Sequence, residues 1–517
     1  MRLFYVKTGT FYFPPWIILQ LCNNCPNLYP KESILSRPIL KSTQSPNILL
    51  IMTDQHAARA MGVAGDKAAQ TPSLDKIAKS GTRFTNVYCA SPLCVPSRTA
   101  FLTGLEPHQS GVLNNNDLLQ SDIPTIAHSL GKAGYDCHLI GRMHFNGPDQ
   151  LHGFSARPIG DIGPGWPGAE APYIGCLTNA RGNRGDQISG SGRGQTSYQA
   201  YDSAVTKTGI ETLLQLAQKR DKTERPFFAL VSLFCPHPPY VAAPEDYDAV
   251  VSQVPPPEIP APKQRHQVHQ QWAKLGLVDV IEPEAAIRAR AAYYGLVRMI
   301  DRLVGDLVST VSNRDDTIVI YVSDHGEALG ERGLWWKSTF YDESAKVPLI
   351  ISGPGIKSAA TDNRVMSLMD VSATILDLAD ADHLPGQTGR SMASSQSWEN
   401  RATSSYYGGL MNIKTPATRH RMLRRDHLKL CVYDGYAPQL FDLSKDPREI
   451  QDLSKERPKE LSALMQEISE TWNPEEIAKI QNSKAKRTRF LREWVQTTKP
   501  EERFRWKDPN PERNRYL

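Results

Sequence analysis

Long apolar runs are missing from this chain of 517 residues. Beyond the amino-terminal segment, no stretch reaches the roughly 18 apolar residues that a membrane-spanning helix needs. The composition, with 40% hydrophobic and 22% charged residues and a mean hydropathy of −0.43, is typical of a soluble globular protein. The sequence therefore predicts no integral membrane span.

Paired cysteines are also scarce. The eight cysteines include one Cys-x-x-Cys pair, Cys22 and Cys25, with no second pair to complete a structural zinc site. No disulfide framework can be read from the other spacings. We interpret the pair as incidental.

Excess charge is concentrated at the end of the chain. The net charge is +5, while residues 484–517 carry eleven Lys or Arg and five Asp or Glu, so the rest is nearly neutral. A basic tail can bind acidic polymers or nucleic acid, but a solvated terminus is the commoner case. Trp494 and Trp506 indicate that part of the tail packs down, and we expect no nucleic-acid partner.

The amino-terminal segment is ambiguous. Residues 17–22 resemble the end of a signal-peptide apolar core, preceded by Arg2 and Lys7. However, Pro14 and Pro15 interrupt it, and no small-x-small cleavage site follows. A start codon placed too far upstream would give the same pattern. A periplasmic or secreted location is slightly favoured over a cytoplasmic one, but the sequence does not decide it.

One stretch carries the chemistry: Cys-Val-Pro-Ser-Arg-Thr-Ala-Phe-Leu-Thr-Gly, residues 94–104. Pro96 suits the first turn of a helix, where its missing N–H costs nothing. Cys94 then lies at a helix N-terminus, which favours negative charge, and Arg98 directs a fixed cation to the same place. The run predicts a nucleophile beside an anion site, suited to an oxyanion ester; an ordinary buried cysteine is the alternative.

Two apolar strands end in acidic residues. Residues 47–52 are followed by Asp54 and Gln55, and residues 317–322 are followed by Asp324. Open α/β sheets place their sites at the carboxyl ends of parallel strands, so both acids are candidate ligands for a hard cation. The amide oxygen of Gln55 could add a further ligand. A turn-capping role is the alternative for Asp54.

These residues carry a family resemblance. Residues 94–104 match the signature of the type I sulfatases, Cys-x-Pro-Ser-Arg-x-x-x-Leu-Thr-Gly, at every fixed position. The resemblance to these formylglycine-dependent, alkaline-phosphatase-like enzymes covers roughly residues 46–455, and residues 141–154 look most like the choline-sulfatase branch. It implies conversion of Cys94 to Cα-formylglycine, the source of the nucleophilic hydrate, by a formylglycine-generating or anaerobic maturating enzyme.

The resemblance also implies a bound Ca²⁺ ion, held by Asp54, Gln55, Cys94, Asp324 and His325. A histidine ligand on Ca²⁺ is unusual because hard cations prefer oxygen. His325 is therefore either part of a mixed coordination shell or a hydrogen-bonding neighbour of the site.

The sulfate-binding residues follow from three further segments. The family's usual Gly-Lys-x-His corresponds to Gly-Arg-Met-His at 141–144, so His144 matches and Arg142 stands where a lysine is usual. A guanidinium keeps the charge but is longer and planar, and we interpret Arg142 as the replacement. His237 corresponds to the leaving-group acid and Lys337 to the second sulfate-binding lysine. The implied catalytic set is Cys94, Arg98, His144, His237 and Lys337, with Arg142, Lys337 and His237 binding substrate.

The predicted fold is α/β, a large mixed, mostly parallel sheet flanked by helices, with a smaller C-terminal antiparallel sheet plus helix. Helical spacing predicts helices over 201–220 and 284–312, and residues 155–198 predict a long loop. The expected organisation is an N-terminal segment (1–45), a catalytic domain (46–390), a small α+β domain (391–480) and a basic tail (481–517).

The predicted function is hydrolysis of a sulfate monoester of a sugar, aryl or choline-type alcohol. Two alternatives stay open at this point. One is a phosphonate or phosphodiester hydrolase of the same superfamily, and the other is a catalytically silent protein that binds sulfated glycans. The sequence does not identify the physiological ester or the oligomeric state.

Overall fold

The structure, a computed structural model, describes residues 45–174, 177, 185–394, 397–408 and 418–517. The possible signal segment and the Cys22–Cys25 pair lie outside the described residues. Within those ranges, no helix has both the length and the apolar character needed to cross a membrane.

The described residues form strands and helices of the following extent. The strands are β1 (Asn47–Asp54), β2 (Gly81–Tyr88), β3 (Asp136–Gly141), β4 (Gly192–Gln195), β5 (Phe227–Pro236), β6 (Val241–Ala242), β7 (Thr317–Ser323), β8 (Lys346–Ser352), β9 (Ala360–Ser367), β10 (Arg401–Tyr406), β11 (His420–Arg425), β12 (Leu428–Tyr433), β13 (Gln439–Asp442) and β14 (Arg515–Tyr516). The helices are α1 (Pro72–Ser80), α2 (Cys94–Thr103), α3 (Pro107–Ser110), α4 (Ile126–Lys132), α5 (Gly185–Ser189), α6 (Ser197–Thr223), α7 (Pro244–Val250), α8 (Gln267–Gly276), α9 (Pro283–Val311), α10 (Asp342–Ala345), α11 (Leu368–Leu378), α12 (Pro458–Thr471) and α13 (Pro474–Thr498).

A seven-stranded sheet in the order β3-β5-β1-β7-β8-β2-β9 forms the centre of the protein. Six of these strands run in one direction, and β8 is antiparallel to both of its neighbours. Every residue of β1, β5 and β7 is buried, which explains why these strands are near-continuous apolar runs. The predicted mixed, mostly parallel sheet is confirmed.

Helices cover both faces of this sheet because alternate residues of each strand point to opposite sides. In β1, Leu49 and Ile51 face a core that includes residues of α6 and α9. Ile48 and Leu50 face a second core that includes residues of α2, α4 and α11. The central strands are therefore buried on both faces.

A second sheet, β10-β11-β12-β13, is antiparallel throughout. Leu423, Leu430 and Leu440 on one face pack with Leu464 and Ile468 of α12. The predicted C-terminal antiparallel sheet plus helix is confirmed.

The end of the chain returns to the main body. Helix α13 runs through residue 481, and the residues after it reach β14, which pairs with β4. The Trp494 ring lies 5.2 Å from that of Trp166, and the Trp506 ring lies 5.5 Å from that of Tyr201. The basic tail is therefore in contact with the rest of the protein, while the domain boundaries named above stay predictions.

A buried ion pair joins the small sheet to helix α3. Arg421 of β11, fully buried, donates from Nη1 and Nη2 to the two carboxylate oxygens of Glu106 at 2.6 and 2.9 Å. Thr403 donates to the same carboxylate at 2.7 Å. Burial alone would raise the pKa of Glu106, but the Arg421 guanidinium lowers it to about 2.

Glu106→Gln is expected to destabilise the protein by about 3 kcal/mol or more at pH 7, because it leaves Arg421 buried without its partner. A glutamate that titrates near 4.3 when unfolded and about 2 when folded contributes stability above the higher value and loses it as the pH falls through the lower one. Urea midpoints of variant and parent should therefore converge as the pH drops from about 4.5 toward 2.

Glu476→Gln is the matched control, because Glu476 forms an exposed pair with Lys479. Its loss should change stability by no more than about 0.5 kcal/mol. Equal urea midpoints for the parent and Glu106→Gln at pH 7 would contradict the role given to this pair.

Candidate active site

The site begins where β1 and β7 end together. The two strands are parallel with Thr53 paired to Ser323, so the next residues, Asp54 and Asp324, lie side by side. Both carboxylates are fully buried, and Asp324 Oδ1 accepts the backbone N–H of Gln55 at 3.0 Å. This register brings together the two acids that follow the strands, as the sequence predicted.

Helix α2 presents Cys94 to these acids. Cys94 is the first residue of the helix and 1% exposed, and its Sγ lies 3.8 Å from Asp54 Oδ1 and 3.2 Å from His325 Nε2. Ser97, one turn later, donates its hydroxyl to the carbonyl of Asp324 at 2.6 Å. That bond fixes the helix N-terminus against the end of β7.

These side chains make a plausible metal-binding cluster. Asp54, Cys94, Asp324 and His325 each offer one ligand atom, and the four atoms lie within 4.8 Å of one another. His325 Nδ1 lies 3.1 Å from the Gly326 carbonyl and must donate to it, which leaves the Nε2 lone pair facing the cluster. Two carboxylates and a correctly oriented imidazole fit a divalent cation in chemistry and in position.

Gln55 lies next to this cluster but has other partners. Its backbone is left-handed, with φ of 69°, and its Oε1 accepts from Lys337 Nζ at 2.5 Å. Its Nε2 donates to Glu327, a buried carboxylate that also accepts from Tyr240 at 2.6 Å and from the backbone N–H of Trp336. The predicted role of Gln55 as a metal ligand stays a prediction.

Glu327 is a residue to which the sequence assigned no role. It follows Asp324-His325-Gly326 directly, so its position in that segment was the available signal. The structure shows a carboxylate that orients the amide of Gln55.

Arg98 forms ion pairs with both Asp54 and Asp324. Its Nε lies 2.8 Å from Asp324 Oδ2, and its Nη2 lies 3.2 Å from Asp54 Oδ2. Its Nη1 donates to Ser232 at 2.9 Å. A planar guanidinium presents several N–H donors in fixed directions, which suits it to two carboxylates at once.

Arg142 occupies the position at which a lysine is usual in the family. Its Nε lies 2.5 Å from Asp54 Oδ2, its Nη2 lies 3.2 Å from His144 Nδ1, and its guanidinium stacks on Phe234 at 4.6 Å. His144 is half-buried and left-handed, with φ of 61°. The structure thus brings both residues to the cluster.

His237 and Lys337 complete the set around Cys94. His237 Nδ1 lies 2.8 Å from the Pro238 carbonyl and donates to it, which leaves Nε2 for the interaction with Cys94. His144, His237 and the Lys337 ammonium are close enough to Cys94 to lower the pKa of its thiol. The residues predicted for catalysis, substrate binding and metal binding therefore converge on one buried site.

The electrostatics of the site favour an anion at residue 94. Burial would raise the pKa of the Cys94 thiol, but the Lys337 ammonium and the His325 imidazole hold it well below its usual value. Burial also opposes ionisation of Asp54, yet Arg142, His237 and Arg98 keep its pKa well below the ordinary range. Burial and the neighbouring Asp54 raise the pKa of Asp324, although the Arg98 guanidinium acts in the opposite direction.

Comparison with known proteins identifies the family. The Sulfatase family model matches residues 46–381, well over half of the chain. The chain belongs to the sulfatase family. A second model, N-sulphoglucosamine sulphohydrolase, C-terminal, matches residues 330–475.

Individual relatives agree with this assignment. The choline-sulfatase of Rhizobium meliloti is 35% identical over 448 residues, covering 80% of this chain and 83% of the relative. The arylsulfatase of Clostridium perfringens is 28% identical over 435 residues, covering 79% of this chain and 90% of the relative. The resemblance to type I sulfatases, with similarity to choline-sulfatase-like members, is confirmed. The protein is an enzyme, a sulfatase that hydrolyses sulfate esters.

Solved structures share the fold. BT4656 in complex with D-glucosamine-2-N,6-O-disulfate has a TM-score of 0.64 at 23% identity, covering 83% of this chain and 97% of that chain. The phosphonate monoester hydrolase of Agrobacterium radiobacter has a TM-score of 0.64 at 22% identity, covering 85% and 96%. Sulfatases and phosphonate hydrolases therefore use the same architecture.

Asp54→Asn and Asp324→Asn are each expected to weaken the binding of a divalent cation by more than about tenfold, because each removes a charge from the four-residue cluster. Calorimetric titration of metal-stripped protein with Ca²⁺ measures this. Asp382→Asn, at an exposed aspartate paired with Lys132, should bind Ca²⁺ as the parent does. Unchanged affinity in both cluster variants would show that the cation binds elsewhere.

Proposed function

We propose that this sulfatase cleaves a sulfate monoester with a formylglycine hydrate derived from Cys94, assisted by one bound Ca²⁺. The observation that carries the proposal is the position of Cys94, whose Sγ lies within the cluster formed by Asp54, Asp324 and His325. A nucleophile at this position shares its surroundings with the candidate metal ligands. The cation would be held by Asp54, Asp324, His325 and residue 94, with Gln55 as a further candidate.

When bound, the cation would supply positive charge that offsets the sulfate oxygens and favours an ionised hydroxyl at residue 94. The chain's own cations act in the same direction. Lys337, Arg142 and Arg98 are buried beside Cys94 and Asp54, where a fixed charge acts more strongly than in water. Lys337 and Arg142 bind the sulfate group, and all three cations offset charge that develops on its oxygens.

His237 and His144 are the residues that transfer protons in this mechanism. His237 keeps its Nδ1 hydrogen on the Pro238 carbonyl, so the proton that passes to the alcohol leaving group is a second one, carried on Nε2 in the imidazolium form. His144, whose Nδ1 accepts from Arg142, matches the histidine of the family's Gly-Lys-x-His segment, and by that resemblance we assign it the removal of a proton from residue 94. The general acid is therefore His237, and His144 acts as a base.

The substrate is a sulfated small molecule or glycan, and two classes deserve direct comparison. Choline sulfate is supported by the 35% identity to a choline-sulfatase and by residues 141–154. A sugar sulfate is supported by the shared architecture with a protein bound to a glucosamine disulfate. Conversion of Cys94 requires a formylglycine-generating or anaerobic maturating enzyme as a partner.

A second candidate function is hydrolysis of a phosphonate monoester or phosphodiester, favoured by the structural likeness to a phosphonate monoester hydrolase. Rates on 4-nitrophenyl sulfate and on bis(4-nitrophenyl) phosphate, measured on one preparation, separate the two functions. A silent glycan-binding protein would instead show an unmodified Cys94, no turnover, and salt-sensitive binding to sulfated polymers.

Active enzyme is expected to carry an aldehyde in place of the Cys94 thiol, and Cys94→Ala should lose at least about a thousandfold in kcat because the nucleophile is gone. Mass spectrometry of the peptide that contains residue 94 and turnover of 4-nitrophenyl sulfate measure the two effects. Cys89→Ala is the matched control, since Cys89 is equally buried and outside the cluster. An unmodified thiol in fully active enzyme would refute the mechanism.

His237→Gln is expected to slow alkyl sulfates by about a hundredfold or more and 4-nitrophenyl sulfate far less, because a good leaving group departs without a proton. The measurement is kcat/KM for choline or sugar sulfate against the nitrophenyl ester. His383→Gln, at a partly exposed histidine paired with Asp377, should match the parent on both. Equal losses on both substrates would remove the general-acid role.

A further inference from the structure

The turn that carries Arg142 and His144 depends on one buried carboxylate, Asp161. Asp161 is 7% exposed, and its Oδ2 accepts the backbone N–H groups of Met143 at 3.2 Å and His144 at 3.0 Å. Its Oδ1 lies 3.7 Å from Arg142 Nη1. One side chain therefore contacts both of the residues that this turn brings to the site.

The turn needs such an anchor. His144 has a φ of 61°, a left-handed conformation that costs free energy for a residue with a side chain and persists only where the surroundings hold it. The two N–H groups bonded to Asp161 are those of His144 and the residue before it. Moving Asp161 would release the conformation that aims the His144 imidazole.

Asp161 is itself held by the end of the chain. Residues 502–506, here called the C-terminal strap, run along residues 160–165. The backbone N–H of Trp506 donates to the Asp161 carbonyl at 2.9 Å, and the N–H of Gly160 donates to the Phe504 carbonyl at 2.9 Å. Glu502 accepts the N–H of Gly165.

The strap fits closely against this segment. A Cβ added to Gly160 would lie 2.3 Å from the Phe504 carbonyl oxygen, which is closer than real contacts allow. Tyr201 of α6 donates its hydroxyl to the Gly160 carbonyl at 2.7 Å, and its ring packs against Trp506. The strap and α6 thus enclose the backbone just before Asp161 from two sides.

We propose that Asp161 is a positioning residue for Arg142 and His144, and that the C-terminal strap holds Asp161 in place for catalysis. This rests on the proposed function for the roles of Arg142 and His144. It gives the basic tail a task in the sulfatase reaction. That task is mechanical, and it differs from binding an acidic polymer.

Two truncations of the full chain separate the strap from the rest of the tail. A chain that ends at Pro500 lacks the strap, while a chain that ends at Asn514 keeps it and loses only β14. The shorter chain is expected to lose about ten- to a hundredfold in kcat/KM on 4-nitrophenyl sulfate, because small displacements of catalytic groups cost rate of this order. The longer chain should equal the parent.

Point variants cover the case in which the shorter chain fails to fold. Gly160→Ala forces the strap away from residue 160 by steric contact and should reproduce the loss. Asp161→Asn should do the same by weakening the anchor. Trp506→Ala should lower kcat/KM, and Trp506→Phe, which keeps a ring against Tyr201, should restore most of it.

Hydrogen exchange of the peptide covering residues 142–146 is the second measurement, because it reports on the Met143 and His144 amides without any turnover. The strap variants are expected to exchange faster there than the parent. Parent-like exchange in this peptide, or faster exchange with unchanged kcat and KM, would overturn the proposal. A parent enzyme that hydrolyses no sulfate ester would overturn the proposed function instead, and exchange alone would then decide the strap.

Discussion

The pairing of β1 with β7 is the constraint on which the site depends. Because the strands are parallel and Thr53 is paired with Ser323, two aspartates leave the sheet next to each other in a fully buried place. Two such carboxylates repel each other and lose their hydration, so they need positive charge close by. Arg98 and Arg142 supply such charge, because both guanidinium groups pair with these carboxylates.

The nucleophile position follows from the same constraint. Helix α2 places Cys94 beside the acids, and the hydrogen bond from Ser97 to the Asp324 carbonyl ties its N-terminus to the end of β7. Gln55 and His144 both have a positive φ, and the sharp turns they make bring their own side chains to the site. Much of the catalytic geometry is thus fixed by backbone turns at strand ends, where loops can vary without disturbing the core.

Much of the fold could be predicted because its signals are local. The apolar runs at 47–52 and 317–322 became central strands. The helical spacing at 201–220 became α6, which is longer than predicted, and the spacing at 284–312 became α9, which has the predicted length and begins one residue earlier. The prediction of a long loop over residues 155–198 missed two short elements. These elements, α5 and β4, are too short to show a periodic hydrophobic pattern. Strand β4 pairs with β6 and β14, which are distant in sequence, so no local signal predicts it.

The sequence by itself determined the family, the chemical identity of the site residues and the class of fold, since these depend on residue types at fixed spacings. The tertiary structure decided which groups touch. It alone showed that Arg142 binds Asp54, that Glu327 orients Gln55, and that residues 502–506 lie against Asp161. Such contacts join residues up to several hundred positions apart, and no local pattern records them because burial and packing bring them together only after folding.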